Sequence, residues 1–98
     1  MSKFLVEVSH ANDQTECLHI VHVFLSTGSH FLANADWGCP DGEHKAWMII
    51  DVPNREEALN ILPPMYRDMA KVTQLTKFTL DDIEAEMQMH QAKHDVHV

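Results

Sequence analysis

Six residues of this chain have the types and the alternation needed to line one polar site: Glu7, Ser9, His30, Asn34, Asp36 and Trp47. Read as strand residues, they project to one side of a sheet, because successive side chains on a strand point to opposite faces. A carboxylate, an imidazole and an amide around an indole suit proton transfer on a small carbonyl compound or lactone. Glu7, His30 and Asp36 are the acid–base candidates, and Ser9, Asn34 and Trp47 would bind the ligand. Trp37, beside the following turn, is either a lid over that pocket or a rim anchor for a dimer. The plainer alternative is that His30 and Asp36 cap strand ends while Glu7 is solvated or paired at an interface.

Two other groups carry ligand-type side chains. His10, Asp36, Cys39, Asp41 and His44 converge at one strand end, and imidazole, thiolate and carboxylate are the ligands zinc takes. Their spacing matches no zinc-finger pattern, so the expectation is no metal. Cys39 is also a candidate reactive thiol, with His44 the one nearby base. His90, His94 and His97 share a helical face with Ile83 and Met87, and two histidines at i and i+4 can chelate a metal. Gln91 follows His90 where a metalloprotease pattern needs Glu, and the expected role is a polar C-terminal tail. Three glycines leave no phosphate-cradling loop, and no CxxC pair is present. Any reaction is therefore expected to need no cofactor.

Positioning these residues requires a small set of elements. Phe4, Val6 and Val8 alternate with Leu5, Glu7 and Ser9 over a first strand. Asp13 and Glu16 form a capping-box-like start for a helix with Cys17, Ile20, Val21 and Phe24 on one face and Gly28 at its stop. From Ser29 the period returns to two, which predicts a second strand with Phe31, Ala33 and Ala35 opposite His30, Leu32, Asn34 and Asp36. Cys39-Pro40-Asp41-Gly42 is a turn, because Pro presets φ and Gly accepts a positive one. The run from His44 to Val52 predicts a central strand covered on both faces. Asn54 and Glu57 begin a second helix that Pro63-Pro64 ends. Ala70 to Phe78 reads as a last, edge strand, and Thr79 with Asp82 starts a third helix.

The order β-α-β-β-α-β, with right-handed crossovers, predicts a ferredoxin-like four-stranded antiparallel sheet in an α+β fold, plus a C-terminal helix. Residues 1–78 would be the ferredoxin-like domain and residues 79–98 the helix and His-rich tail. Two helices cover one sheet face. The other, bearing Leu5, Leu32, Trp47 and Ile49, is too apolar to stay wet, so the C-terminal helix or a second copy must cover it.

Composition narrows the function classes. Ninety-eight residues make one domain, and 15 acidic against 7 basic residues give a formal charge of −8. That opposes phosphate binding, so no nucleic-acid partner is expected. No apolar run approaches the ~18 residues of a membrane span. The N-terminus shows no secretory signal, and two unframed cysteines read as free thiols in a reducing, cytoplasmic setting.

The segment Trp47-Met48-Ile49-Ile50-Asp51-Val52-Pro53, with Glu57-Ala58 and then Leu62-Pro63-Pro64-Met65, resembles the dimeric α+β barrel superfamily, in particular muconolactone isomerase-like small barrels. The likeness covers about a third of the chain. It implies a homodimer with a pocket between sheet face and partner, and carries over no catalytic residue. The segment Ala35-Asp36-Trp37-Gly38-Cys39 through His44 has no counterpart in that family. The expected function is thus a small-molecule-binding dimeric barrel, whose catalytic form would be a cofactor-independent isomerase or related proton-transfer enzyme. The alternative is a non-catalytic module that handles a metal ion through its His/Cys/Asp clusters or assembles with a partner protein.

Overall fold

A computed structural model describes the backbone of residues 1–96 and the side-chain surroundings of residues 1–90. Four strands form one antiparallel sheet: β1 (Ser2–Ser9), β2 (Asp36–Trp37), β3 (Lys45–Val52) and β4 (Ala70–Leu75), in the spatial order β2-β3-β1-β4. Helices α1 (Gln14–Ser26), α2 (His30–Ala33), α3 (Arg55–Asn60) and α4 (Leu80–Val96) complete the chain, with short 3-10 turns at Cys39–Asp41 and Pro64–Met69. This is an α+β chain, and its strand order is compatible with the βαββαβ expectation. Among the described residues no helix is long and apolar enough to cross a membrane.

The core forms where alternation on the strands meets helical periodicity. In the β1–β3 ladder Phe4 faces Ile50, Val6 faces Met48 and Val8 faces Ala46, all buried on the helix side. Ile20 and Phe24 of α1, Leu32 of α2 and Ala58 of α3 close over them. Each large apolar side chain buried there contributes about 1.5–3 kcal/mol of transfer free energy. The caps follow the expected chemistry. The Asp13 side chain accepts from the Thr15 N–H and the Asn54 side chain from the Glu57 N–H. Thr79 and Asp82 exchange reciprocal bonds at the start of α4: Thr79 Oγ1 accepts from the Asp82 N–H at 3.1 Å and Asp82 Oδ2 from the Thr79 N–H at 3.4 Å.

Three expectations need correction. The strand predicted from Ser29 is mostly the helical turn α2, and β2 keeps only Asp36 and Trp37. Gly28, at φ 80°, ends α1, and the Ser29 side chain then caps α2 by accepting from the Leu32 N–H. A short alternation of polar and apolar residues is also satisfied by one helical turn, and here the turn wins because it drives Leu32 into the helix-side core. Leu32 therefore does not belong to the open sheet face. Secondly, β4 stops at Leu75, not Phe78, and its last pairing with β1 sets Leu75 opposite Lys3. Thirdly, β3 is central, but the described part of its own chain covers only one of its faces. Ile49, on its other face, is 63 % exposed.

Among the described residues, the C-terminal helix does not cover that open face. Phe78 is 70 % exposed and Leu80 72 %, and Ile83 and Met87 are exposed as well. The tail group of His90, His94 and His97 extends beyond the residues whose side chains are described.

Tyr66 packs edge-on against Phe24, with ring centroids 5.8 Å apart, and its buried hydroxyl has no hydrogen-bond partner among the described residues. Burial, and then the nearby Glu16 carboxylate, push the phenol pKa upward. Removing an unsatisfied buried hydroxyl relieves its desolvation cost. Tyr66→Phe should stabilise the fold by about 1 kcal/mol, read as a higher midpoint in urea unfolding. A lower midpoint would show that the hydroxyl is satisfied in solution.

Candidate functional site

Two groups of chemistry-bearing side chains lie on the β2–β3–β1 ladder, one on its open face and one at its end. On the open face, register sets Asp36 opposite Trp47 and Trp47 opposite Glu7, with Lys71 next across β4. The Trp47 indole N–H donates to Glu7 Oε1 at 3.0 Å. Three of the sequence-derived candidates thus form one cross-strand row, because in antiparallel pairs residues directly opposite share a face. Ser9 lies on the same face at the sheet end, opposite Lys45.

His30 and Asn34 do not join this row. They sit one helical turn apart on α2, both exposed, where Asn34 Nδ2 donates to the His30 carbonyl at 2.8 Å. Trp37 also lies elsewhere. It pairs with Ala46, whose side chain is on the helix side, and its ring packs 5.2 Å from that of Phe24. It is part of the core margin.

Gly38 is a residue the sequence reading passed over. A Cβ there would come within 2.7 Å of the Glu43 carbonyl oxygen and 2.7 Å of the Trp47 ring. Its φ of −97° is open to any residue, so glycine is required by close approach, not by backbone conformation. The indole lies against the bare backbone of the β2–β3 connection, which fixes Trp47 for its bond to Glu7. Trp-Gly adjacency at the end of a strand was the available signal.

The second group stands at the end of the ladder. The His10 N–H donates to the His44 carbonyl at 3.0 Å, continuing the β1–β3 pairing past Ser9 and Lys45. The 3-10 turn then brings Cys39 over the two histidines. His10 Nε2 is 3.0 Å from Cys39 Sγ, and the His10 and His44 rings meet edge to face at 5.5 Å. One ligand atom from each of His10, Cys39 and His44 lies within 4.8 Å of the others. Asp36 and Asp41, expected in this cluster, are not part of that group. Cys17 lies outside that group but beside it: Cys17, Cys39 and His44 line one cleft of about 340 Å³.

Burial, then the Cys17 thiol, push the Cys39 pKa up to about 11. This upward push runs against the lowered pKa that a reactive thiol needs. Both cysteines are free.

Gly38→Ala tests the close approach that serves both groups. Overpacking against backbone costs about 1–3 kcal/mol, and the clash falls on the indole. The variant should unfold at lower urea and show altered Trp fluorescence in the folded state. Wild-type stability and spectrum would contradict the contact.

Comparison of the chain with protein-family models, with curated proteins and with solved structures gave no match.

Proposed function

We propose that this chain works as a homodimer of ferredoxin-like βαββαβ subunits whose open sheet faces pair as a dimeric α+β barrel and enclose a small-molecule ligand. The observation that carries the reading is the Asp36–Trp47–Glu7 row, standing on a sheet face that nothing among the described residues covers. An exposed apolar sheet centre costs solvation free energy, and a second copy is the occupant that recovers it.

Charge supports the same occupant. The open face carries Lys3, Lys45 and Lys71 together with Glu7 and Asp51, so it holds both signs. A two-fold interface sets a patch against itself and therefore needs such self-complementarity. Ile49 and Leu5 form the apolar centre between these charges. The exposed α4 stripe of Leu80, Ile83 and Met87 is further apolar surface for a partner copy to bury.

Within the enclosed space Trp47 supplies an apolar floor, and Glu7 is a carboxylate held in place by the indole N–H. Such an oriented carboxylate suits proton abstraction next to a carbonyl, with Asp36 as the second acid–base group across the indole. Small carbonyl compounds, lactones and aromatic acids are the ligand class that fits an indole floor and a few polar groups. His30 and Asn34, exposed on α2, would enter the site only through the partner or through movement of α2.

Light scattering coupled to size exclusion at micromolar protein should give the dimer mass, and Ile49→Asp should give the monomer. A wild-type monomer would overturn the reading. In a Trp37→Phe background, a panel of lactones and aromatic acids should quench Trp47, and Glu7→Gln should weaken that binding by roughly tenfold, as expected for loss of a charged hydrogen-bonding group. Equal binding by Glu7→Gln would remove Glu7 from the site.

A further inference from the structure

We propose that His10, Cys39, His44 and Cys17 form a tetrahedral binding site for a zinc-class metal ion at the end of the β1–β3 ladder. This site is separate from the sheet-face pocket and does not depend on it.

The first support is convergence from four separate elements. His10 follows β1, Cys39 lies in the 3-10 turn, His44 precedes β3 and Cys17 sits near the start of α1. Tetrahedral bonds of about 2.0–2.1 Å to nitrogen and 2.3 Å to sulfur put ligand atoms about 3.3–3.8 Å apart. His10, Cys39 and His44, with ligand atoms within 4.8 Å of one another and one pair at 3.0 Å, reach that geometry by side-chain rotations of about an ångström. Cys17, outside that group but lining the same cleft, would complete it by turning its thiol inward.

The second support is orientation. His10 Nδ1 is 3.1 Å from the Ala11 carbonyl oxygen, which can only accept, so the ring hydrogen lies on Nδ1. Nε2 then presents its lone pair to the space beside Cys39 Sγ. A ligand histidine whose other nitrogen donates to a backbone carbonyl is the usual outer arrangement around a bound metal. His44 adds an independent sign: its Nδ1 is buried and has no hydrogen-bond partner. Buried polar atoms in folded proteins are rarely left so.

Charge closes the argument. Two thiols that give up their protons to water on coordination carry two negative charges, and two neutral imidazoles add none. A divalent ion held by this set forms a neutral centre that needs no carboxylate in a half-buried place. Soft sulfur with nitrogen donors selects zinc-class ions over magnesium or calcium, which require oxygen. Trp37, whose ring lies 6.3 Å from that of His10, shields one side. The main core lies elsewhere, so the ion is bound by a folded chain and does not create it.

The test uses untagged, reduced full-length protein in a His94→Ala/His97→Ala background, which removes chelation by the tail. It is titrated with Co²⁺ and then Zn²⁺. The expected result is one Co²⁺ per chain with a near-ultraviolet thiolate-to-cobalt charge-transfer band and strong tetrahedral visible absorption, both lost as Zn²⁺ displaces Co²⁺. Cys39→Ser and Cys17→Ser should each reduce the charge-transfer band. His44→Ala should weaken binding by roughly tenfold or more, and His30→Ala should change nothing. Circular dichroism checks that each variant folds, and the parent spectrum decides if one does not. A parent protein without the band overturns the site, as does a band unchanged in Cys39→Ser. A band unchanged in Cys17→Ser overturns the four-ligand set.

Discussion

The β1–β3 ladder is the constraint on which the rest of this structure depends. Its register, running from Ser2 opposite Val52 to Ser9 opposite Lys45, decides what each face carries. Phe4, Val6 and Val8 with Met48 and Ile50 go to the helices, while Leu5, Glu7, Trp47 and Ile49 go to the open side. A slip of one residue would exchange these sets and put Glu7 and Lys45 in the core, so burial of one face holds the register firmly. The backbone bond from His10 to His44 extends the same ladder past its last strand pair. The two histidines of the end cluster are therefore neighbours by sheet geometry, before any side-chain interaction is counted.

From that constraint the two sites follow by different routes. The sheet-face row needs only alternation and register, and its one specific device is the close approach of Gly38 to the Trp47 ring. The end cluster needs a turn that doubles back. Pro40 presets that turn and Gly42, at φ 85°, closes it, with the Gly42 N–H donating to the Cys39 carbonyl. The same loop thus holds the indole through Gly38 and the thiol through Cys39.

Much of this was legible in the sequence, and the rest failed for identifiable reasons. Strand β1, the Asp13, Asn54 and Thr79 caps and the turn at Cys39–Gly42 came from strong local signals: strict alternation, capping side chains, and Pro-Gly chemistry. The segment after Ser29 failed because a few alternating residues fit a helical turn as well as a strand, and burial of Leu32 settled it. That error placed His30 and Asn34 on the wrong element. The meeting of His10 and His44 was foreseen from their positions at strand ends. Cys17 was not, because a helix position with apolar spacing gives no hint of which loop the helix start will touch. The second face of β3 is open within the described chain, which alternation alone does not reveal: Ile49 and Trp47 are as apolar as core residues, and sequence does not distinguish a face meant for a helix of the same chain from one meant for a partner.

At the end of this ladder, backbone pairing and a proline turn bring two imidazoles and the Cys39 thiol together, with Cys17 beside them on α1. X-ray absorption at the zinc edge, on untagged protein loaded with one equivalent of zinc, reads that arrangement directly. The predicted first shell mixes nitrogen at about 2.0–2.1 Å with sulfur at about 2.3 Å. A shell of nitrogen and oxygen alone, with no sulfur scatterer, would contradict it.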